Sequence, residues 1–252
     1  MKISIEEKSI IGTREDQQDS FDSTATDDVA FAVVCDGMGG TQGGAAASQA
    51  VVSKLKELFI GKNPTEQLPA FFFRAIDILD ESVVTLQKQS GLSGSGTTIV
   101  AAAIEKNSLY WLSVGDSRLY IIRGNEIVQV TRDHNFALSL EQLSGEELQI
   151  AQNSHRNHRA DALISFIGMS GVKIYDINET GFALLPGDKI LLTTDGLTKA
   201  LSDSEIMSVL SANPLAEGLT LLLEKATKQT KGSQDNTTCI IIQVNDGGKE
   251  DG

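Results

Sequence analysis

The feature that most constrains this chain is the unbroken character of its apolar runs. AFAVVC at residues 30–35, TTIVAAAI at 97–104 and TTCIII at 237–242 are apolar or β-branched at successive positions, not at every second one. A strand with one face in water alternates apolar and polar side chains, so these read as strands covered on both faces. The same criteria place strands over residues 29–35, 97–104, 109–114, 119–122, 189–193 and 237–244. Arg123, Gly124, Asn125 and Glu126 read as a hairpin, since Gly and Asn accept the positive φ of a tight turn.

Covered strands need covering elements. Three helical stripes supply them: Val51, Val52, Leu55, Leu58 and Phe59; then Phe72, Ile76, Leu79, Val83 and Leu86; then Leu215, Leu219, Leu222, Leu223 and Ala226. Strands cluster with long helices between the clusters, which is the pattern of a layered α+β fold with antiparallel sheets and not of strict βα alternation. One domain over residues 1–244, with a flexible tail at 245–252, is expected; residues 135–168 read as a helix followed by a mobile, polar excursion.

Composition excludes several functions. Among 252 residues, 34 Asp and Glu against 21 Lys and Arg leave a net charge of −13, which argues against a sequence-independent grip on nucleic acid or anionic lipid and favours cations as electrostatic partners. No apolar run approaches the roughly 20 residues of a membrane span, and the amino-terminal MKISIEEKS lacks the apolar core of a secretory signal. Cys35 and Cys239 both sit within apolar stretches, as buried free thiols of a reducing compartment do, so a cytoplasmic protein is expected.

Chemistry enters through the aspartates at strand ends. Asp36 follows AFAVVC, Asp116 follows YWLSVG, Asp195 follows KILLTT, and Asp235 precedes NTTCIII. Such positions put a side chain at the rim of a sheet while its backbone stays rigid. If they converge, carboxylates about 4 Å apart repel by about 4 kcal/mol per pair at an effective dielectric of ~20, so the cluster needs cations. Oxygen donors without His or Cys favour hard divalent ions, Mg²⁺ or Mn²⁺. Gly37, lacking Cβ, lets a backbone carbonyl approach such an ion.

Taken in order, REDQQD at 14–19, VCDGMGG at 34–40, SGSGTT at 93–98, VGDSRLYIIRG at 114–124, TRDH at 131–134, LLTTDGL at 191–197 and QDNTT at 234–238 resemble the motifs of the metal-dependent serine/threonine protein phosphatases of the PP2C (PPM) type, in their bacterial form. The resemblance covers nearly the whole chain. It implies a four-layer α-β-β-α sandwich of two antiparallel sheets flanked by helices. It implies that Asp36 bridges two metals, that the Gly37 carbonyl binds one and Asp195 and Asp235 the other, and that Asp19 acts through metal-bound water. Arg14 then binds the substrate phosphate, and Asp116 with Asp195 offers a place for a third, weaker ion. The implied reaction is hydrolysis of phosphoserine and phosphothreonine by direct attack of a water shared by the two metals, without a phosphoenzyme. The implied partner is a phosphorylated protein under the control of a Ser/Thr kinase, and a monomer is expected.

Some positions depart from the pattern. Met38 stands where many eukaryotic members have a His proposed as general acid, Gln17 replaces an Asn and is expected to loosen the placement of Asp19, and HRNHRADALISFIG lacks the usual Asn, Thr and Arg of the flap segment. His155 and His158 read as solvated flap residues, His134 as part of a structural turn, Asp27 and Asp28 as loop charge, and the Gly39, Gly40, Gly43 and Gly44 cluster as close helix packing. Two rivals share the fold: a non-catalytic phosphoprotein-binding regulator and a small-molecule phosphomonoesterase. Against the first, Asp36, Gly37, Asp195 and Asp235 are all in place.

Overall fold

The computed structural model describes residues 1–26, 29–141, 144 and 160–246. In chain order these form β1 (Lys2–Ile10), β2 (Asp19–Ala25), β3 (Val29–Met38), α1 (Thr41–Ile60), α2 (Leu68–Ser90), β4 (Gly96–Thr97), β5 (Ile99–Glu105), β6 (Ser108–Val114), β7 (Arg118–Arg123) and β8 (Glu126–Gln129). There follow α3 (Phe136–Glu141), β9 (Asp176–Ile177), β10 (Phe182–Ala183), β11 (Lys189–Thr193), α4 (Asp195–Thr198), α5 (Asp203–Ala212), α6 (Leu215–Gln229) and β12 (Thr237–Asn245). One sheet has the order β1-β12-β11-β7-β8 and the other β10-β6-β5-β3-β2, with β9 on β6 and β4 on β3; all of these pairings are antiparallel.

The apolar runs are explained by what lies on each side of them. Along β3, Ala30, Ala32 and Val34 face the second sheet, where Ile190 and Leu192 of β11 and Ile240 and Ile242 of β12 meet them. The alternate residues Phe31, Val33 and Cys35 face Val51 and Leu55 of α1 and Phe72 and Leu79 of α2. On the other sheet, Leu191, Cys239 and Ile241 face Leu210 of α5 and Leu219 and Leu222 of α6. Both faces of these central strands are therefore dry, and burying each of their Val, Leu, Ile or Phe side chains contributes about 1.5–3 kcal/mol. The layers run α-β-β-α, as expected. Both cysteines are free and buried.

Besides the two-residue β9 and β10, two long strands escaped the sequence reading. β1 and β2 each lie at the edge of a sheet and carry Lys, Glu, Ser and Asp on the solvent side, the usual protection of an edge. α5 begins at Ser202 with a capping box closed by Glu205. The hairpin between β7 and β8 forms as read, with Arg123 opposite Glu126 and Gly124 at φ +59°. Of the glycine cluster, Gly44 packs helix on strand: a Cβ on Gly37 would lie 2.1 Å from the Gly44 carbonyl oxygen, so α1 approaches β3 too closely for a side chain there, whereas Gly39 and Gly43 lie against Ser95 and a Cβ on Gly40 would meet nothing within 4 Å.

α3 accounts for the start of the 135–168 segment. His155 and His158, like Asp27 and Asp28 and most of the expected tail, lie outside the described residues. The two ends of the segment are zipped together, with Asn135 bridged to Leu163 and the Ile164 amide donating to the His134 carbonyl (2.9 Å). Beyond it, buried Asp80 of α2 accepts from the amides of Gly168 and Gly171, both at 2.6 Å. Among the described residues, no helix is long and apolar enough to cross a membrane.

Candidate active site

The aspartates singled out above gather at one end of the sandwich. Asp19 heads β2 and stands directly opposite Asp36 of β3 in the antiparallel register, so the two carboxylates face each other across one strand pair. Asp36 lies within its strand, two residues before the end. Asp116 lies two residues beyond β6, Asp195 opens α4 just after β11, and Asp235 lies two residues before β12. Asp36, Gly37, Asp116, Asp195 and Asp235 line one cavity of about 490 Å³ together with Arg14, Met38, Asp161, Lys199 and Asn236. One wall comes from one sheet and the opposite wall from the other.

The backbone beneath these groups is tightly held. The Asp36 amide donates to Thr98 Oγ1 (2.9 Å), and its carbonyl accepts from the Thr98 amide (2.9 Å) and Thr97 Oγ1 (2.9 Å). Gly115, at φ +108°, precedes Asp116; its amide donates to His134 Nδ1 (3.1 Å) and its carbonyl accepts from the His134 amide (2.9 Å). Completely buried His134 thus fixes the turn that presents Asp116, in keeping with a structural role.

Asp19 sits behind the cavity. Its Oδ2 accepts from Thr194 Oγ1 (3.0 Å) and Thr238 Oγ1 (2.8 Å), which belong to the opposite sheet, while its buried Oδ1 has no hydrogen-bond partner among the described residues. Gln17 does not loosen it. The Gln17 Oε1 accepts from the Asp19 amide (3.0 Å) and its Nε2 donates to Ser9 Oγ (3.0 Å), so the longer side chain pins the backbone it was expected to release.

Electrostatics mark the cluster as short of positive charge. Burial, with further repulsion from Asp19, Asp195, Asp116 and Asp235, holds the Asp36 carboxyl well above the ordinary range. Burial raises Asp19 to about 7 despite the two threonine hydroxyls, and Asp195 and Asp235 push the same way. Burial and then Asp195 raise Asp116 to about 7, against the attraction of Lys199.

Protein cations meet part of this demand. Arg14 Nη2 donates to Asp235 Oδ2 at 2.6 Å, and Lys199 Nζ is paired with Asp195 Oδ2. With two carboxylates drawn onto these partners, no three Asp, Glu, His or Cys side chains among the described residues stand together around one point. The chemistry of the donor set nonetheless fits hard cations: oxygen donors only, buried Asp19 Oδ1 and Asp195 Oδ1 without partners among the described residues, and Gly37 on the cavity wall beside Asp36.

Sequence reasoning missed four groups here. Lys199 was signalled by its i,i+4 spacing from Asp195, and Thr194 and Thr238 by their places inside TTDG and DNTT. Asp161 carried no signal, since it falls in a polar run where any residue could be solvated.

Comparison with known proteins agrees with this geometry. The family model of protein phosphatase 2C matches residues 8–234. The serine/threonine phosphatase stp of Listeria welshimeri is 30% identical over 227 residues, covering 87% of this chain and 86% of its own. The Streptococcus agalactiae serine/threonine phosphatase superimposes with a TM-score of 0.82 at 26% identity, covering 96% of this chain and all of the other. The catalytic domain of the serine/threonine protein phosphatase PstP, solved in complex with two manganese ions, gives a TM-score of 0.76 at 28% identity over 97% of this chain and 99% of that one. Motifs, fold and relatives therefore place the chain in the protein phosphatase 2C family.

Proposed function

We infer that this protein is a metal-dependent phosphatase that removes phosphate from phosphoserine and phosphothreonine in proteins, opposing a Ser/Thr kinase in the cytoplasm. The observation that carries the reading is the meeting of Asp36, Asp116, Asp195 and Asp235 with Arg14 on one cavity, from positions up to 221 residues apart in the chain.

In this reading Asp36, the Gly37 carbonyl, Asp195 and Asp235 would hold hard divalent ions, Mg²⁺ or Mn²⁺, and Asp19 would act through a water. When bound, such ions neutralise the carboxylates, polarise phosphoryl oxygens and make water nucleophilic near neutral pH. The chain's own residues do the rest. Arg14 is largely exposed and offers a planar fork of donors matched to phosphate; its present bond to Asp235 marks how close that fork lies to the reaction centre. Thr194 and Thr238 hold Asp19 so that one oxygen is committed to the protein and the other, buried, is left without a hydrogen-bond partner among the described residues. No Ser, Cys or His side chain lines the cavity among the described residues, and the one threonine there, Thr98, is buried and hydrogen-bonded to the Asp36 amide and Ser117. With the aspartates given over to cations, the nucleophile in this reading is water attacking phosphorus directly, and the leaving alkoxide takes its proton from solvent, since position 38 carries Met.

The test is hydrolysis of p-nitrophenyl phosphate and of a phosphothreonine peptide with Mn²⁺, with Mg²⁺ and with EDTA, for wild type and Asp195→Asn. Turnover is expected only with metal and falls by about 100-fold or more in the variant, which loses a charge and a ligand together. Metal-independent turnover, or a variant as active as wild type, would refute the reading.

A further inference from the structure

The two oxygens of Asp195 have different surroundings. Oδ1 is buried with no hydrogen-bond partner among the described residues, whereas Oδ2 is paired with Lys199 Nζ. The lysine returns to this aspartate twice, because its amide also donates to the Asp195 carbonyl (2.8 Å). Its ammonium lies in the combined field of Asp195, Asp116 and Asp161. All four residues wall both the main cavity and a smaller one of about 250 Å³ beside it.

A carboxylate that gives one oxygen to each of two ions needs both oxygens free. At Asp195 only one is at liberty. We propose that Lys199 is a resident counter-ion at the edge shared by Asp116, Asp161 and Asp195, so that this phosphatase takes up divalent cation on the Asp36 and Asp235 side of Asp195 and none on the Asp116 side: two ions, and no third. This rests on the metal-dependent reading above. A divalent ion on the Asp116 side would have to displace the ammonium from Asp195 and then share the same small space with it. Lys199 does with a permanent single charge what a loosely held ion would otherwise do, which is to offset the repulsion between Asp116 and Asp195.

The assay is Mn²⁺ binding stoichiometry by isothermal titration calorimetry and by equilibrium dialysis, on the full chain, for wild type, Lys199→Gln and Lys199→Arg. The lysine side chain is 53% exposed, so neither substitution disturbs the core, and circular dichroism verifies the fold. Wild type and Lys199→Arg should bind two ions, and Lys199→Gln should gain a third that is at least about tenfold weaker than the first two. Three ions in the wild type, or only two in Lys199→Gln, would overturn the assignment while leaving the phosphatase reading intact. A wild type that takes up no Mn²⁺ would bring down the metal-dependent reading and this assignment with it.

Discussion

Replacing Asp116 by Asn should stabilise the metal-free protein, and by an amount that depends on pH. The Asp116 carboxyl is raised from 3.8 to about 7 by burial and by Asp195, in spite of Lys199. A folded-state pKa above the unfolded one means that folding is favoured most below pH ~4 and that this advantage is lost progressively up to pH ~7. Three units at 1.36 kcal/mol each give a cost of about 4 kcal/mol at pH 8, and roughly a third of that at pH 5. Asn mimics the neutral acid and does not titrate. For a chain of this size each kcal/mol moves the melting temperature by about 2–4 °C, so EDTA-treated Asp116→Asn should melt roughly 8–16 °C above wild type at pH 8. At pH 5 the gap should shrink to about 3–5 °C. Differential scanning calorimetry in chelator at the two pH values is the measurement. An equal gap at both, or a less stable variant at pH 8, would show that Asp116 is not held in an anion-hostile environment, and the reasoning from burial and repulsion would fail.

Three further outcomes are expected. Arg14→Lys keeps the charge but loses the fork, so kcat/KM should fall by about ten- to a hundredfold while Mn²⁺ affinity, followed by calorimetry, stays within about twofold. Gly37→Ala places a methyl 2.1 Å from the Gly44 carbonyl oxygen and 2.7 Å from that of Gln18; with backbone on both sides it should cost about 3 kcal/mol in urea unfolding and displace α1 from β3. For Asp176, burial alone would raise the carboxyl, but His134 and Arg132 hold it well below its usual range. A depressed pKa stabilises the fold above pH ~4 and ceases to do so as pH falls further, so the deficit of Asp176→Asn in chemical denaturation should be full at pH 7 and shrink below pH 4.

Much of the architecture was legible in the sequence because residues in dry strands have few alternatives. The runs at 30–35 and 237–242 are apolar on both faces since each is sandwiched twice, and that demand is visible one residue at a time. β1 and β2 were hidden for the opposite reason: edge strands meet water, and KISIEEKSI carries too many charges to stand out. At the site, Asp36, Asp116, Asp195 and Asp235 were found because each adjoins a strong strand signal, whereas Asp19, at the head of hidden β2, rested on the resemblance alone. What could not be read was that Asp235 meets Arg14, a pairing across loops that joins residues 221 apart; the pairing of Asp195 with Lys199 was signalled by i,i+4 spacing and passed over. The effect of Gln17 was misjudged because side-chain length says nothing about what lies at its end, here Ser9 on the neighbouring strand.

The paired hydroxyls that grip Asp19 have a mechanical corollary. They are donated by the sheet that Asp19 does not belong to, so the acid works as a latch between two slabs that otherwise meet through apolar packing and a few polar ties such as Ser23 to Glu7 and Arg123 to the Ala183 carbonyl. A shear of little more than an ångström would open the latch and misalign opposite walls of the pocket, yet leave every strand ladder whole. On gradual warming, turnover should therefore fade before circular dichroism registers any loss of structure.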